Sequence, residues 1–291
     1  MTTSASPPLP PGLRERMLAA ARTARPTGRP VPEPPAITPV EAFNRSADAF
    51  YGVLSALSDQ QWHVQVLRDL DVHGLVGHLT GVEGHFQAAL AGDPGVADID
   101  HVEATQSAAR EEVGRSPDET RRTWRAASDA TSALLAATDD LDRIVAVHRI
   151  RLPLGSLLVV RAFELWTHEN DIRAAVGLPP SVPDPSTLTL MTELASRLLP
   201  HGVARVEDGE VPVDLHLVLT GPGGGTWDLE LGKRDAGDAQ QIPEVTIVAE
   251  TLGFCRLVAN RIRPTELDAH LSGAVAHAPP ILAGAAALAL D

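Results

Sequence analysis

Apolar residues recur at helical spacing through the first half of the chain. Phe43, Ala47, Phe50, Leu54 and Leu57 share one face of a segment opening on "TPVEAF", with Thr38 as N-cap, Pro39 in the first turn and Glu41 placed to close a capping box. This spacing predicts a helix over residues 39 to 57. Leu75, Leu79, Val82, Phe86 and Leu90 mark a second apolar face within "DVHGLVGHLTGVEGHFQAALAG", stopped by "GDPG". A third helix opens at "SPDET", where Ser116 and Glu119 form a capping box, and continues through Trp124 to Ala137. A fourth fills Leu154 to Val176 and ends at Gly177, with prolines close behind. No strand signal interrupts these four, so the expected architecture is a four-helix bundle, with residues 91 to 115 as a long loop at the substrate entrance.

After "GLPPSVPDPS" the period changes. A helix near residues 185 to 199 precedes "VPVDLHLVLT", where Val213, Leu215, Leu217 and Leu219 alternate with polar positions as in a strand. "GPGGG" supplies a turn, "TWDLEL" and "EVTIVAE" two more strands, and "TLGFCRLVANRI" a helix. A short strand near "LDAHLSG" and an Ala/Leu-rich helix follow, which together predict a small α+β domain with an antiparallel sheet. The organisation expected is a tail or strap over residues 1–36, a helical domain over 37–180 and the α+β domain over 181–291. Prolines in "PTGRPVPEPPAI" preclude regular structure in the tail, which covers the bundle or mediates dimerisation; a monomer and a homodimer both remain open.

Charge narrows the partners. Lys and Arg number 24 against 38 Asp and Glu, a formal net charge of -14, so the long-range field repels nucleic acid and anionic membranes. The start has no basic-then-apolar signal region, and no apolar run approaches the ~20 residues that cross a bilayer. A cytoplasmic protein acting on a small molecule is expected. Cys255 is the one cysteine, so a metal site would be built from His and carboxylates.

The fourth helix offers such groups. Glu164 and His168 lie one turn apart, on a stripe with Arg161 and Asp171. Leu158, Ala162, Leu165 and Trp166, with Val159, Val160 and Phe163 on other sides, leave this helix apolar nearly all round, so part of the stripe is expected inside. A buried carboxylate and imidazole cost several kcal/mol unless paired or bound to a cation. Zinc in a catalytic site takes three protein ligands and leaves one position open. His78, within "LVGHLTG", is the best third candidate, because Gly77 and Gly81 permit a close approach; an ordinary i,i+4 pair and a hydrogen-bonded core histidine are the alternatives.

"LDVHGLVGHLTGVEGHF" with "RAFELWTHENDIRAAVGLPP" resembles the metal-binding N-terminal domain of the mycothiol-dependent maleylpyruvate isomerase family, a relative of the DinB-like four-helix bundles. The resemblance covers about residues 38 to 180 and implies zinc held by His78, Glu164 and His168. It also implies mycothiol, the low-molecular-weight thiol of actinobacteria, as cosubstrate, and more weakly a sterol-carrier-like fold for the second domain. An arginine near the end serves the family's active site; of Arg256, Arg261 and Arg263 in "FCRLVANRIRP", the resemblance maps it onto Arg261. A zinc-bound thiol is acidified, and its addition to an electrophilic carbon leads to cis-trans isomerisation or to S-transfer. Arg261 or Arg161 would steer a substrate carboxylate. A metal-dependent hydrolase and a non-catalytic small-molecule-binding module are the rival readings.

Other polar residues have two readings each. Asp171 orients the His168 imidazole or joins a helix salt bridge. His101, in "ADIDHVEAT", caps the pocket from a loop or is simply solvated. Cys255 is a nucleophile or buried packing. "GPGGG" lacks the following Lys-Ser/Thr of a phosphate loop.

Overall fold

The structure, a computed structural model, describes residues 34–112, 114–206, 212–232 and 242–289, so the expected tail lies almost wholly outside the described residues. The chain first forms α1 (Pro39–Ala56), α2 (Val72–Leu90), α3 (His101–Glu111), α4 (Pro117–Ala136) and α5 (Leu154–Ala175). Two hairpins interrupt them, β1 (Gln65–Leu67) with β2 (Leu70–Asp71), and β3 (Ile144–Val147) with β4 (Ile150–Pro153). Thr38 caps α1 by accepting from the Glu41 amide, but the Glu41 carboxylate pairs with Arg45 instead of closing the box. Ser116 and Glu119 cap each other reciprocally at α4, and Gly177, at φ 75°, ends α5.

The expectation of four helices with a loop from 91 to 115 fails at α3. Its inward residues His101, Thr105 and Ala109 are small or polar, so no hydrophobic period announces it. Asp100 caps it by accepting from the amides of Val102 and Glu103. The helix packs hard on α2: a Cβ on Gly77 would sit 2.6 Å from the Ala108 carbonyl oxygen. Phe43, Phe50, Leu54, Leu75, Leu79, Phe86, Trp124, Leu154, Leu158 and Leu165 fill the core between α1, α2, α4 and α5. The Phe50 and Trp124 rings meet edge to face at 4.8 Å between centroids. Each such side chain contributes about 1.5–3 kcal/mol of burial.

Beyond the bundle run α6 (Pro185–Val206), β5 (Val213–Thr220), β6 (Gly225–Leu231), β7 (Glu244–Glu250), α7 (Thr251–Val258), β8 (Ala269–Gly273) and α8 (Ala278–Ala286). The sheet order is β6-β5-β7-β8. Its outer pairings are antiparallel, but the central pair β5 and β7 runs parallel, which corrects the expected all-antiparallel sheet. Strand alternation sets which face is buried, not which neighbour a strand takes, so the pairing was not readable from it. The "GPGGG" turn joins β5 to β6 and seats on α6: Gly223 has φ 71°, and a Cβ there would fall 2.3 Å from that of Leu188.

The sheet's inner face, with Leu215, Leu217, Val245 and Ile247, packs under α7 and α8 as a second core. A seam joins the halves, formed by Val159, Ala162 and Trp166 of α5 with Leu188, Met191 and Leu194 of α6 and Cys255 of α7. Among the described residues no helix is long and apolar enough to cross a membrane.

Candidate metal centre

Three helices meet where the polar residues lie. α2 brings His78, α5 brings Glu164 and His168, and α3 brings His101 and Thr105. The ligand atoms of His78, Glu164 and His168 all lie within 4.8 Å of one another. His78 and His168 are 4% and 2% exposed, so water does not screen them.

Hydrogen bonding fixes which atoms are free. His78 Nδ1 lies 2.6 Å from Thr105 Oγ1, whose own proton goes to a carbonyl, that of His101 at 2.9 Å or Val102 at 3.2 Å. The Thr105 oxygen must therefore accept from His78 Nδ1–H, which leaves His78 Nε2 a bare lone pair. His168 Nδ1 lies 2.9 Å from Asp171 Oδ2, and donation to that carboxylate leaves His168 Nε2 bare as well. Asp171 is itself clamped by Arg261, whose Nε and Nη2 donate at 2.7 and 2.8 Å. Glu164 Oε2 receives Arg161, while Glu164 Oε1 is buried and makes no well-aligned hydrogen bond, with His101 Nε2 3.2 Å away. Two imidazole lone pairs and one carboxylate oxygen thus converge without donors among them, which is the donor set a divalent cation takes.

Charge agrees with that. Arg161, 4% exposed, also donates to Glu83 at 2.6 Å, and Glu83 accepts from Thr131 at 2.7 Å. Glu83, Arg161 and Glu164 together leave one net negative charge buried beside the His78 imidazole. Burial takes His78 down to about 4, against a smaller upward pull from Glu164. Burial would raise Glu164, but the Arg161 charge and then His101 hold it well below the usual carboxylate range. Asp171 is likewise lowered despite burial, by its bonds to His168 and Arg261.

A file of imidazoles runs outward from Glu164. His101 Nε2 lies 3.2 Å from Glu164 Oε1, His101 Nδ1 is 3.0 Å from His148 Nδ1, and His148 Nε2 is 2.9 Å from His85 Nδ1. His148 sits in the two-residue β3–β4 turn, where it and Arg149 hold φ of 50° and 63°. L-residues adopt that conformation at a cost, and here it buries His148 to 6% exposure. Burial, then the neighbouring His101, takes His148 down to about 3, so it is neutral in the folded protein.

A cavity of about 90 Å³ opens beside His101, Glu164 and His168. Val160 and Phe163 of α5, Leu194 and Leu198 of α6, Val258 of α7 and Leu288 wall it. A larger one, about 410 Å³, shares Thr167 and Ala259 with it and is lined by Asp171, Arg256 and Arg261.

Residues 43–173 match the family described as "Mycothiol maleylpyruvate isomerase N-terminal domain". The match spans 131 of the chain's 291 residues, so this helical part of the chain is similar to that N-terminal domain. A crystal structure of the mycothiol-dependent maleylpyruvate isomerase is similar at a TM-score of 0.54 and 13% identity, over 81% of this chain and 92% of that one. A histidine-to-alanine mutant of such an isomerase has the same TM-score and identity, over 79% and 91%. At that identity the likeness is one of fold. A comparison with curated proteins finds no match.

His78, Glu164 and His168, grouped from the sequence, come together at one point. Asp171 sits on the His168 imidazole. His101 is neither in a loop nor solvated: it opens α3 and is buried beside Glu164. Arg261 does not line the cavity beside Glu164 and His168, but holds Asp171 and borders the larger one. Arg161 lies between Glu83 and Glu164, committed to both. Cys255 is fully buried, its thiol pushed up to about 12, which removes it as a nucleophile. Thr105 and His148 were missed, because a threonine and a hairpin histidine give no sign in the sequence of the imidazoles they meet.

Proposed function

We propose that this protein is a zinc-dependent, mycothiol-using enzyme in which His78, Glu164 and His168 hold the metal and a thiol is activated for addition to a small electrophile. One observation supports this above the others: His78 Nε2, His168 Nε2 and Glu164 Oε1 gather within 4.8 Å of one another in a buried site with an excess negative charge. Zinc bound there would acidify a thiol so that its sulfur is nucleophilic at neutral pH.

The chain's own groups divide the remaining work. Thr105 and Asp171 fix the tautomers of the two imidazoles, and Arg261 fixes Asp171. Arg161 holds one oxygen of Glu164 and so turns the other inward. The aliphatic wall from α5, α6 and α7 keeps water from the electrophile. His101, at the edge of the cavity, places an imidazole where a proton is to be given or taken. Both isomerisation and S-transfer use this addition step.

Elemental analysis tests the metal: we expect about one zinc per chain in the wild type and almost none in His168→Ala. Equal, near-zero content in both removes the site. Activity assays with and without mycothiol test the thiol, and turnover indifferent to added thiol would instead support hydrolysis.

A further inference from the structure

Resting on that reading, we infer that the electrophile taken by this site is a small, uncharged, largely apolar molecule such as an enone, and not a carboxylate. The cavity beside Glu164 and His168 is small, about 90 Å³, and among the described residues neither Lys nor Arg lines it. Its charged wall group is Glu164, an anion. Thr167 gives its hydroxyl proton to the Phe163 carbonyl at 2.8 Å, so it offers a ligand lone pairs only. A carboxylate placed there would lose its hydration for aliphatic walls and a like charge, at a cost of several kcal/mol.

The nearby cations do not change this. Arg161 is bound to Glu83 and Glu164, and Arg261 donates two bonds to Asp171, so each guanidinium has a carboxylate already. Arg256 borders the larger cavity, not this one. A dication held there would be offset by the Glu164 carboxylate and a thiolate, which would leave no positive charge for a further anion. An uncharged acceptor with a polarised double bond meets none of these costs. Its reaction balances without any other reagent: the S–H bond breaks, sulfur bonds to the β-carbon, and the proton ends on the α-carbon.

The test uses the full chain, methyl-labelled on Leu and Val, both zinc-loaded and after chelation. Each sample is titrated with 2-cyclohexen-1-one or with maleate. We expect cyclohexenone to shift the methyl resonances of Val160, Leu198 and Leu288 saturably, and maleate to bind there at least tenfold more weakly. Leu198→Lys, at a half-buried wall position, should reverse the preference by tightening maleate at least tenfold; an unchanged amide spectrum elsewhere checks its fold. Maleate binding as tightly as cyclohexenone at these methyls, or cyclohexenone leaving them unmoved, overturns the inference. Binding in the chelated sample needs neither zinc nor thiol. If the methyl shifts persist while zinc, mycothiol and cyclohexenone give no adduct, the thiol reading fails and the ligand class stands.

Discussion

At the scale of single residues, the site depends on where two protons sit. Thr105 has no contact with a metal position, yet its oxygen is what turns the His78 lone pair inward. Thr105→Val keeps the side chain's shape and removes that acceptor. The imidazole is then free to take the other tautomer or to rotate, and zinc affinity should fall by about 10–100-fold. Competition against a chelator measures it, with Thr105→Ser expected to stay near wild type; equal affinity in Val and Ser variants would show that the tautomer is set elsewhere. Glu164 and His168 were legible in the sequence because they lie on a helix with no solvent face to spare, where polar residues need a reason. Thr105 and His148 were not, because their roles come from atoms on other elements. A threonine at the second turn of a polar helix has the same sequence signature whether it faces water or an imidazole.

At the scale of elements, the approach of α3 to α2 delivers Thr105 and His101 to the site. Gly77 permits it: an added Cβ would meet the Ala108 oxygen at 2.6 Å, Glu112 Cγ at 2.8 Å and Ala109 Cα at 2.9 Å. Two of those three are fixed backbone atoms, so Gly77→Ala must push the helices apart. We expect a loss of about 1–3 kcal/mol in urea unfolding, with weaker zinc binding as Thr105 and His101 withdraw. Gly84, on the same helix, has nothing within 4 Å of its added Cβ. Gly84→Ala should therefore stabilise by up to about 1 kcal/mol through helix propensity alone and leave zinc binding unchanged. If both substitutions behave alike, contact with α3 is not what Gly77 serves. The glycines at residues 77 and 81 signalled a close neighbour in the sequence, but not its identity. The neighbour was hidden because α3 buries a histidine, a threonine and an alanine, which write no apolar stripe. α1 and α4 were legible for the opposite reason: Phe43, Phe50 and Leu54 on the one, and Trp124 and Leu135 on the other, put large apolar side chains on the inward face.

At the scale of the whole molecule, α5 is shared: Leu157, Leu158 and Leu165 belong to the bundle core, and Val159, Ala162 and Trp166 to the seam with the second half. The site thus lies where two cores meet, and its neutral histidines tie the whole fold to pH. Burial lowers His78 to about 4 and His148 to about 3, and lowers His73 and His85 as well. His148 is faced by His101, His85, Glu164 and Arg161, of which Glu164 alone favours its charged form. In the unfolded chain each histidine binds a proton below about pH 6.5, while the folded protein does not until its lowered value is reached. The unfolded state therefore binds more protons in that window, and stability falls as the pH falls through it, by at most about 1.4 kcal/mol per pH unit for each such group. Glu164 and Asp171, both lowered, act in the same direction: their stabilisation is present above the unfolded carboxylate value and is lost as pH falls further. Urea midpoints of the chelated protein should accordingly drop steadily between about pH 7 and pH 5. His148→Gln, which can still bond to His101 and His85 but does not titrate, should lower that slope by about one proton's worth. A wild-type midpoint that is flat across this range, or a variant slope equal to that of the wild type, would mean that the hairpin histidine is already solvated and that the imidazole file is open to water.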